Sequence, residues 1–345
     1  MAAAPSPHSV RPLAGLLKRL TTVKPQEVTL TVGLDIGSAS VKALALGTRK
    51  GSGRRPIIGQ QIAPAPSGQE TDASDAVKTA IAGLRLPVKT VNIAVSGQWV
   101  IMRIIEMPAM KPAEIKQALP FEAQRYLPFK VQEVVIDGAV LGPAEGTKAW
   151  VLIVACKKDL IERRIDWVRR AGLEVALIDV DALALANSLL AKKENGRKLE
   201  GTCAMMNVGA SLTNLVIVRG EIPYLVRDIP WGADKLVRHV AEQVGADPAA
   251  VAQALLGGAA TPEIAAAMKV STEALASELE LSFDYFENRF GQPPDNVLIS
   301  GGLGQGATFL EALKPHLAQP ITPWAPAEGL PAQFAVAYGL ALRTT

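Results

Sequence analysis

The feature that most constrains this chain is an internal repeat. Leu34-Asp35-Ile36-Gly37-Ser38-Ala39-Ser40 is matched by Met206-Asn207-Val208-Gly209-Ala210-Ser211-Leu212, displaced by 207 − 35 = 172 residues in a chain of 345. In each copy an apolar, strand-like run ends at Asp or Asn, turns through glycine and leaves as a second apolar run. Two homologous halves follow from this, each offering a glycine turn to one shared cleft. Glycine lets the backbone approach a ligand closely, and successive N–H groups with small hydroxyls then cradle phosphate oxygens. Ser38 and Ser40 add hydroxyls, Lys42 on the exit strand supplies positive charge, and Asp35 is placed to orient Mg²⁺ through its water shell. The competing interpretation is a pair of ordinary glycine hairpins. A third element favours the ligand. Val297-Leu298-Ile299-Ser300 is a buried-type strand running into Gly301-Gly302-Leu303-Gly304, and in open α/β sheets ligands bind where strands end.

The rest of the chain fits two domains. Half of it is apolar (49%) and a fifth charged, so a mostly disordered chain is excluded. A net charge of +3, with acidic residues interleaved, argues against nucleic acid. Cys156 and Cys203 sit in strand-like runs and read as buried free thiols. No apolar run approaches the ~20 residues of a membrane span, and no signal-peptide pattern opens the chain, so the expectation is a cytoplasmic protein.

The expected organisation is a basic amphipathic tail over residues 1–27, a first domain over 28–90 and 173–200, a small unit inserted at 91–172, and a second domain over 201–345. The second domain carries a mostly helical stretch around 231–288. In the tail, Leu13, Leu16, Leu17 and Leu20 share one helical face. That face suits weak contact with a membrane surface or a partner, against the plainer option of a loosely ordered tail. Pro112 suits a helix start, and Pro120 should kink or interrupt that helix. Phe121, Tyr126 and Phe129 are expected in the core of the inserted unit, against the alternative of an exposed peptide anchor. The charged run from Lys157 to Arg170 should be an exposed helix face.

These elements, in this order, resemble the actin/Hsp70/sugar-kinase superfamily, and more closely the type IV pilus assembly protein PilM. The resemblance runs from about Val32 to the C-terminus. It is carried by Val32 to Lys42, Glu106-Met107-Pro108-Ala109-Met110, Phe121 to Phe129, Val208-Gly209-Ala210-Ser211, Arg227 to Gly232, Phe283-Asp284-Tyr285-Phe286 and the loop at 301–304. The block from Met107 to Phe129 is the most specific. It looks like a small subdomain shared by PilM and the cell-division protein FtsA and absent from actin.

The resemblance implies an α/β, actin-like (ribonuclease H-like) two-domain fold with an inserted small α+β subdomain. It implies ATP and Mg²⁺ as cofactors. Asp35, Gly37, Ser38, Ser40 and Lys42 match the first phosphate loop, and Gly209, Ala210 and Ser211, with Asn207, the second. Gly232, Gly301, Gly302 and Gly304 match positions near the nucleotide. It further implies a cytoplasmic scaffold, peripheral at the inner membrane. Such a scaffold takes the N-terminal tail of a PilN-like membrane protein in a groove between the first domain and the inserted unit, and couples it to the pilus assembly machinery. Self-association is compatible with it. The chain departs from the family pattern at Asn207, where an acidic residue is usual, at Ala233, where a second glycine is common, and at Leu281, where a basic residue is frequent. A neutral amide at 207 serves Mg²⁺ and an attacking water less well than a carboxylate, which points to slow turnover at most. Three alternatives stay open at this point: a scaffold without nucleotide, a small-molecule kinase of the same superfamily and, more distantly, a cell-division role like that of FtsA. For the kinase, the sequence offers no convincing base.

Overall fold

The computed structural model describes residues 28–49, 55–66, 71–191, 201–257 and 260–344. The tail over 1–27 and the polar boundary over 192–200 lie outside these residues.

The repeat seen in the glycine turns extends to whole sheets. In the first half, β1 (Val28–Ile36), β2 (Ser40–Arg49) and β3 (Ile57–Pro64) form an antiparallel meander. β4 (Thr90–Val95) and β8 (Glu174–Val180) then join in parallel, in the order β3-β2-β1-β4-β8. In the second half, β9 (Thr202–Val208), β10 (Thr213–Arg219) and β11 (Ile222–Ile229) form the meander. β12 (Asn296–Gly301) and β13 (Ile321–Pro323) follow in parallel, in the order β11-β10-β9-β12-β13. The two orders correspond strand for strand. Both central strands are buried on both faces, which is why they read as unbroken apolar runs rather than alternating ones.

Helices cover the sheets. α1 (Ser74–Leu84) packs on the first meander through Ala76, Val77, Ala80 and Leu84. Between β5 (Val100–Pro108) and β8 lie α2 (Pro112–Ala123), β6 (Val134–Pro143), β7 (Lys148–Lys157) and α3 (Lys158–Arg170). α4 (Asp181–Ala191) follows β8. The second half carries α5 (Ala233–Val244), α6 (Pro248–Gly257), α7 (Pro262–Ser271), α8 (Glu273–Phe290), α9 (Ala307–Leu313) and α10 (Ala335–Ala341).

α4 and α10 exchange sides. α4 leaves the first sheet yet places Leu185, Ala186 and Leu189 against Met205, Val216 and Val218 of the second. α10 ends the second half yet places Val336 and Leu340 against Ala94 of the first. Side chains at Gly33 or Gly339 would overlap the backbones of α10 and α4, so these glycines let strand and helices come within backbone contact. This crossed pair fixes the two sheets relative to each other, and hence the cleft above it.

The inserted unit is smaller than 91–172. β4 is a central strand of the first sheet, and Trp167 and Val168 of α3 belong to the first core. The unit proper is the sheet β5-β7-β6 with α2 on one face, sealed by Ile105, Met107, Ile115, Leu119, Val151 and Ile153. Pro112 opens α2, and the Glu114 carboxylate accepts the Lys111 N–H at 2.8 Å. Pro120 does not break the helix, which stops three residues later at Ala123.

The aromatic residues of this segment are not its core. Phe121 is 76% exposed and Tyr126 39% exposed. They lie on the side of α2 and its following turn that faces away from the sheet, while Leu119 and Ala123 face it. Phe129 has its ring 5.9 Å from Trp99, with the Lys157 ammonium 4.7 Å above it. The unit leans on the second half through Trp150, whose ring lies 5.4 Å from Phe290, with the Arg289 guanidinium 5.1 Å from the Trp150 ring.

Candidate functional site

The two glycine turns face each other. In each, the glycine N–H donates to a carbonyl three residues on: Gly37 to Ser40 at 3.1 Å, Gly209 to Leu212 at 3.0 Å. The Ser38 hydroxyl donates to Ser211 at 2.9 Å, joining the turns across the cleft. The cleft between them encloses about 260 Å³ and is lined by Asp35, Gly37, Ser38, Ser40 and Lys42 from the first half. Asn207, Gly209, Ala210, Ser211, Gly301 and Gly302 line it from the second.

Eleven of the thirteen residues expected from sequence therefore meet in one cavity, and two do not. Gly232 stands behind the second turn, where a side chain would overlap the Ala210 carbonyl, and it lets α5 start against that turn. Gly304 folds back on Ser300, where a Cβ would come within 2.5 Å of the Ser300 carbonyl carbon. Both shape the site without facing it.

The donor set fits a phosphate and a hard cation. Gly37 leaves room that a Cβ would fill, at 3.0 Å from the Ser40 carbonyl and 3.3 Å from the Lys42 ammonium. At Gly302 a Cβ would meet nothing within 4 Å, so no described residue requires glycine there, whereas a flat ligand lying on the backbone would. Lys42 Nζ lies 3.1 Å from Asp35 Oδ2. Among the described residues no three His, Cys, Asp or Glu side chains converge to hold a metal directly. A Mg²⁺ ion that keeps most of its water shell asks for no such cage.

Sequence reasoning misses two groups that line the cleft. Arg164, expected on an exposed face, is 8% exposed and lies on the apolar side of α3 with Leu160, Trp167 and Val168. Its Nη1 donates to the Ile36 carbonyl at 2.6 Å, at the root of the first turn. Burial pulls the guanidinium pKa down, while Asp181 and Asp35 hold it up. Its place is legible in the spacing: Leu160, Arg164, Trp167 and Val168 run at i, i+4, i+7 and i+8. Asp181, the first residue of α4, is the second group. Burial and the nearby Asp35 push its carboxyl up to about 7, against a hydrogen bond from Ser96. Its signal is an Asp at the carboxyl end of a parallel strand.

A second groove lies elsewhere. β5 is an edge strand of the inserted sheet and β11 an edge strand of the second sheet. Between them, with Leu281 and Tyr285 of α8, they border a groove of about 600 Å³ that also reaches Tyr126. This groove separates the inserted unit from the second half and is a different place from the groove expected between the first domain and the inserted unit. Leu281, a departure from the family pattern, is 62% exposed beside it. Among the described residues, no helix is long and apolar enough to cross a membrane.

Two matched sheets, crossed helices at their junction and paired glycine turns above define a two-domain α/β protein of the actin-like fold. The chain belongs to the family of type IV pilus assembly protein PilM, whose model matches residues 33–345. It is similar to a chain of a PilM–PilN type IV pilus biogenesis complex, with 25% identity over 92% of this chain and 98% of that one and a TM-score of 0.78. It also shares its fold with the ethanolamine utilization protein EutJ from Carboxydothermus hydrogenoformans, at 15% identity, 95% and 96% coverage and TM-score 0.57. A Bacteroides thetaiotaomicron protein of actin-like ATPase fold and unknown function aligns at 10% identity, 94% and 99% coverage and TM-score 0.51.

Proposed function

We propose that this PilM-family chain is a nucleotide-dependent scaffold of a type IV pilus, or related secretion, assembly complex. In this reading it is cytoplasmic and peripheral at the inner membrane. It holds ATP with Mg²⁺ between its two glycine turns and captures the N-terminal tail of a PilN-like membrane protein. The observation that carries the nucleotide half is the pair of turns meeting at Ser38 and Ser211. Bound nucleotide with Mg²⁺ supplies a polyanion and a hard cation that join the two halves through shared contacts. The chain's part follows from its groups. The N–H groups of the two turns, with the Ser38 and Ser211 hydroxyls, donate to phosphate oxygens. Lys42 and Arg164 balance the negative charge. Asp35 and Asp181 accept from the cation's water shell, and the Gly301–Gly302 backbone leaves space for a base and ribose.

Turnover is at most slow. Position 207 offers a neutral amide, and orienting an attacking water calls for a stronger acceptor.

The partner half rests on the family and on the groove between β5 and β11. Two edge strands present unpaired backbone groups, and an extended apolar tail can add to either edge, with Met102, Ile104 and Leu225 as side-chain pockets. The test is direct. ATP with Mg²⁺ at about a hundredfold its dissociation constant should stabilise the protein by about 2.7 kcal/mol in thermal unfolding. A synthetic PilN N-terminal peptide should bind the full chain, and Leu281→Asp at the groove should weaken it. No shift with ATP, ADP or a non-hydrolysable analogue at millimolar concentration would leave the nucleotide-free scaffold as the function.

A further inference from the structure

The Asn207 side chain begins a row of hydrogen bonds that leads out of the cleft. Its Nδ2 donates to Asn214 Oδ1 at 3.1 Å. Asn214 Nδ2 donates to Asp228 Oδ1 at 2.8 Å. Asp228 Oδ2 accepts the backbone N–H of Gly97 at 2.6 Å. Strand register sets the first two links, since Asn214 lies opposite Asn207 across β9 and β10 and opposite Asp228 across β10 and β11. The third link crosses from the second half to the turn between β4 and β5, where the inserted unit begins. Asn214 is 1% exposed, so its two amide ends have no water to fall back on.

With Asp228 ionised, the direction of this row follows from its far end; burial raises the Asp228 pKa, and the hydrogen bonds from Gly97 and Asn214 oppose that rise. An ionised carboxylate only accepts hydrogen bonds. Asp228 takes the Gly97 N–H on one oxygen and therefore faces Asn214 with a second acceptor. Asn214 has to turn its NH₂ toward Asp228, which leaves its carbonyl oxygen toward 207. Residue 207 must then donate, which Asn can do and an ionised Asp cannot. Once the Asn207 NH₂ is engaged, its carbonyl oxygen is the end left for the cleft that Asn207 lines.

We propose that Asp228, acting through Asn214, sets which end of the Asn207 amide is presented to the nucleotide cleft, so that position 207 serves the water shell of Mg²⁺ as a neutral oxygen acceptor. This rests on the nucleotide reading above. Asp228 and Asn214 are positioning residues.

The row can be reversed without being broken, which makes the idea testable. In Asp228→Asn the new carbonyl still accepts from Gly97 and the new NH₂ donates to Asn214. Asn214 and Asn207 both flip, every bond survives, and Asn207 turns its NH₂ to the cleft. In Asn207→Asp the carboxylates at 207 and 228 both demand the single Asn214 NH₂. In the double variant the new carboxylate at 207 accepts from Asn214, the Asn214 carbonyl accepts from the new amide at 228, and all three bonds return.

The experiment compares the full chain and these three variants at pH 8, by thermal unfolding and by ATP affinity with and without Mg²⁺. Asp228→Asn should melt within about 2 °C of wild type and keep its Mg²⁺-free ATP affinity. Its Mg²⁺ enhancement of ATP affinity should drop by about fivefold, the worth of one acceptor. Asn207→Asp should lower the melting temperature, and the double variant should restore both melting temperature and Mg²⁺ enhancement. Unchanged Mg²⁺ enhancement in Asp228→Asn, or a double variant melting no higher than Asn207→Asp, would overturn the proposal. If wild type shows no ATP effect, the nucleotide reading falls and the role of the Asn207 oxygen falls with it. The melting arm would still decide whether Asp228 directs the amide.

Discussion

The two glycine turns share a backbone and differ in chemistry. Asp35 lies opposite Lys42 in the first hairpin, and Asn207 lies opposite Asn214 in the second. The offsets agree, since 207 − 35 and 214 − 42 are both 172. One rung is a charge pair at 3.1 Å, the other an amide pair at 3.1 Å. The first hairpin meets the cleft with charge balanced within itself. The second is tied sideways through Asp228 to the root of the inserted unit. Duplication preserved the cradle and let one copy take on wiring. A repeat therefore predicts where a cleft forms better than it predicts what each copy contributes to it.

The largest effect should come from filling the cradle. Gly37→Arg and Gly209→Arg each put a side chain where a phosphate would lie. Each should remove the whole of the roughly 2.7 kcal/mol stabilisation expected at a hundredfold excess of ATP. Nucleotide-induced melting shifts measure this. If only one variant loses the shift, the turns are not equivalent cradles and the comparison breaks at its backbone.

Breaking the rungs should separate the hairpins. Asn214→Leu leaves Asn207 and the Asp228 carboxylate short of a partner next to a buried position. Urea unfolding without nucleotide should show a loss of about 2 kcal/mol. Lys42→Met leaves the Asp35 carboxylate, 8% exposed, without its cation, so it should cost the free protein at least as much while also weakening ATP binding. Equal losses of ATP affinity in the two variants would deny the division into a charged ligand-facing hairpin and a structural one.

Asp181 adds a pH test on the first-half side of the cleft. In the unfolded chain its carboxyl ionises near the ordinary 3.8, but in the fold burial and Asp35 hold it up to about 7. The native state thus binds more protons than the unfolded one between those values, and stability falls as pH rises through that window. Asp181→Asn should therefore melt above wild type, by a margin that grows from pH 5 to pH 8, while losing Mg²⁺-dependent ATP affinity. A margin that shrinks with rising pH would contradict the assignment.

Much of this is legible in the sequence, for physical reasons. A buried strand ending at glycine looks the same wherever it sits, so both turns and the Ser300-Gly301-Gly302 end of β12 can be read directly. What escapes depends on packing between distant segments. Arg164 sits in a run of charges and looks solvated, yet its helix turns it toward the cleft with Leu160 and Trp167. Phe121 and Tyr126 look like core by composition, yet α2 spends its inward face on Ile115, Leu119 and Ala123. The boundary at 91 fails because β4 pairs with β1 and β8, a long-range choice that strand propensity does not encode. Asp228 is visible only as part of a motif, since its partners come from β10 and from a turn 131 residues away.

The smallest effect tests whether the two turns act as one unit. Ser38 and Ser211 share a hydrogen bond of 2.9 Å across the cleft. A net bond of this kind is worth about 0.5–1.5 kcal/mol. Ser38→Ala and Ser211→Ala should each lower stability without nucleotide by roughly that amount. The double variant should lose little more than either single one, because groups that share one bond are not additive. A phosphate between the turns would take both hydroxyls as separate partners, so with ATP bound the two substitutions should become nearly additive. The measurement is a double-mutant cycle by urea unfolding, run with and without ATP and Mg²⁺. Coupling that is present without nucleotide and fades with it would show the ligand replacing a direct contact between the halves. Coupling unchanged by ATP would mean that the hydroxyls stay bonded to each other and that the phosphates lie elsewhere in the cleft.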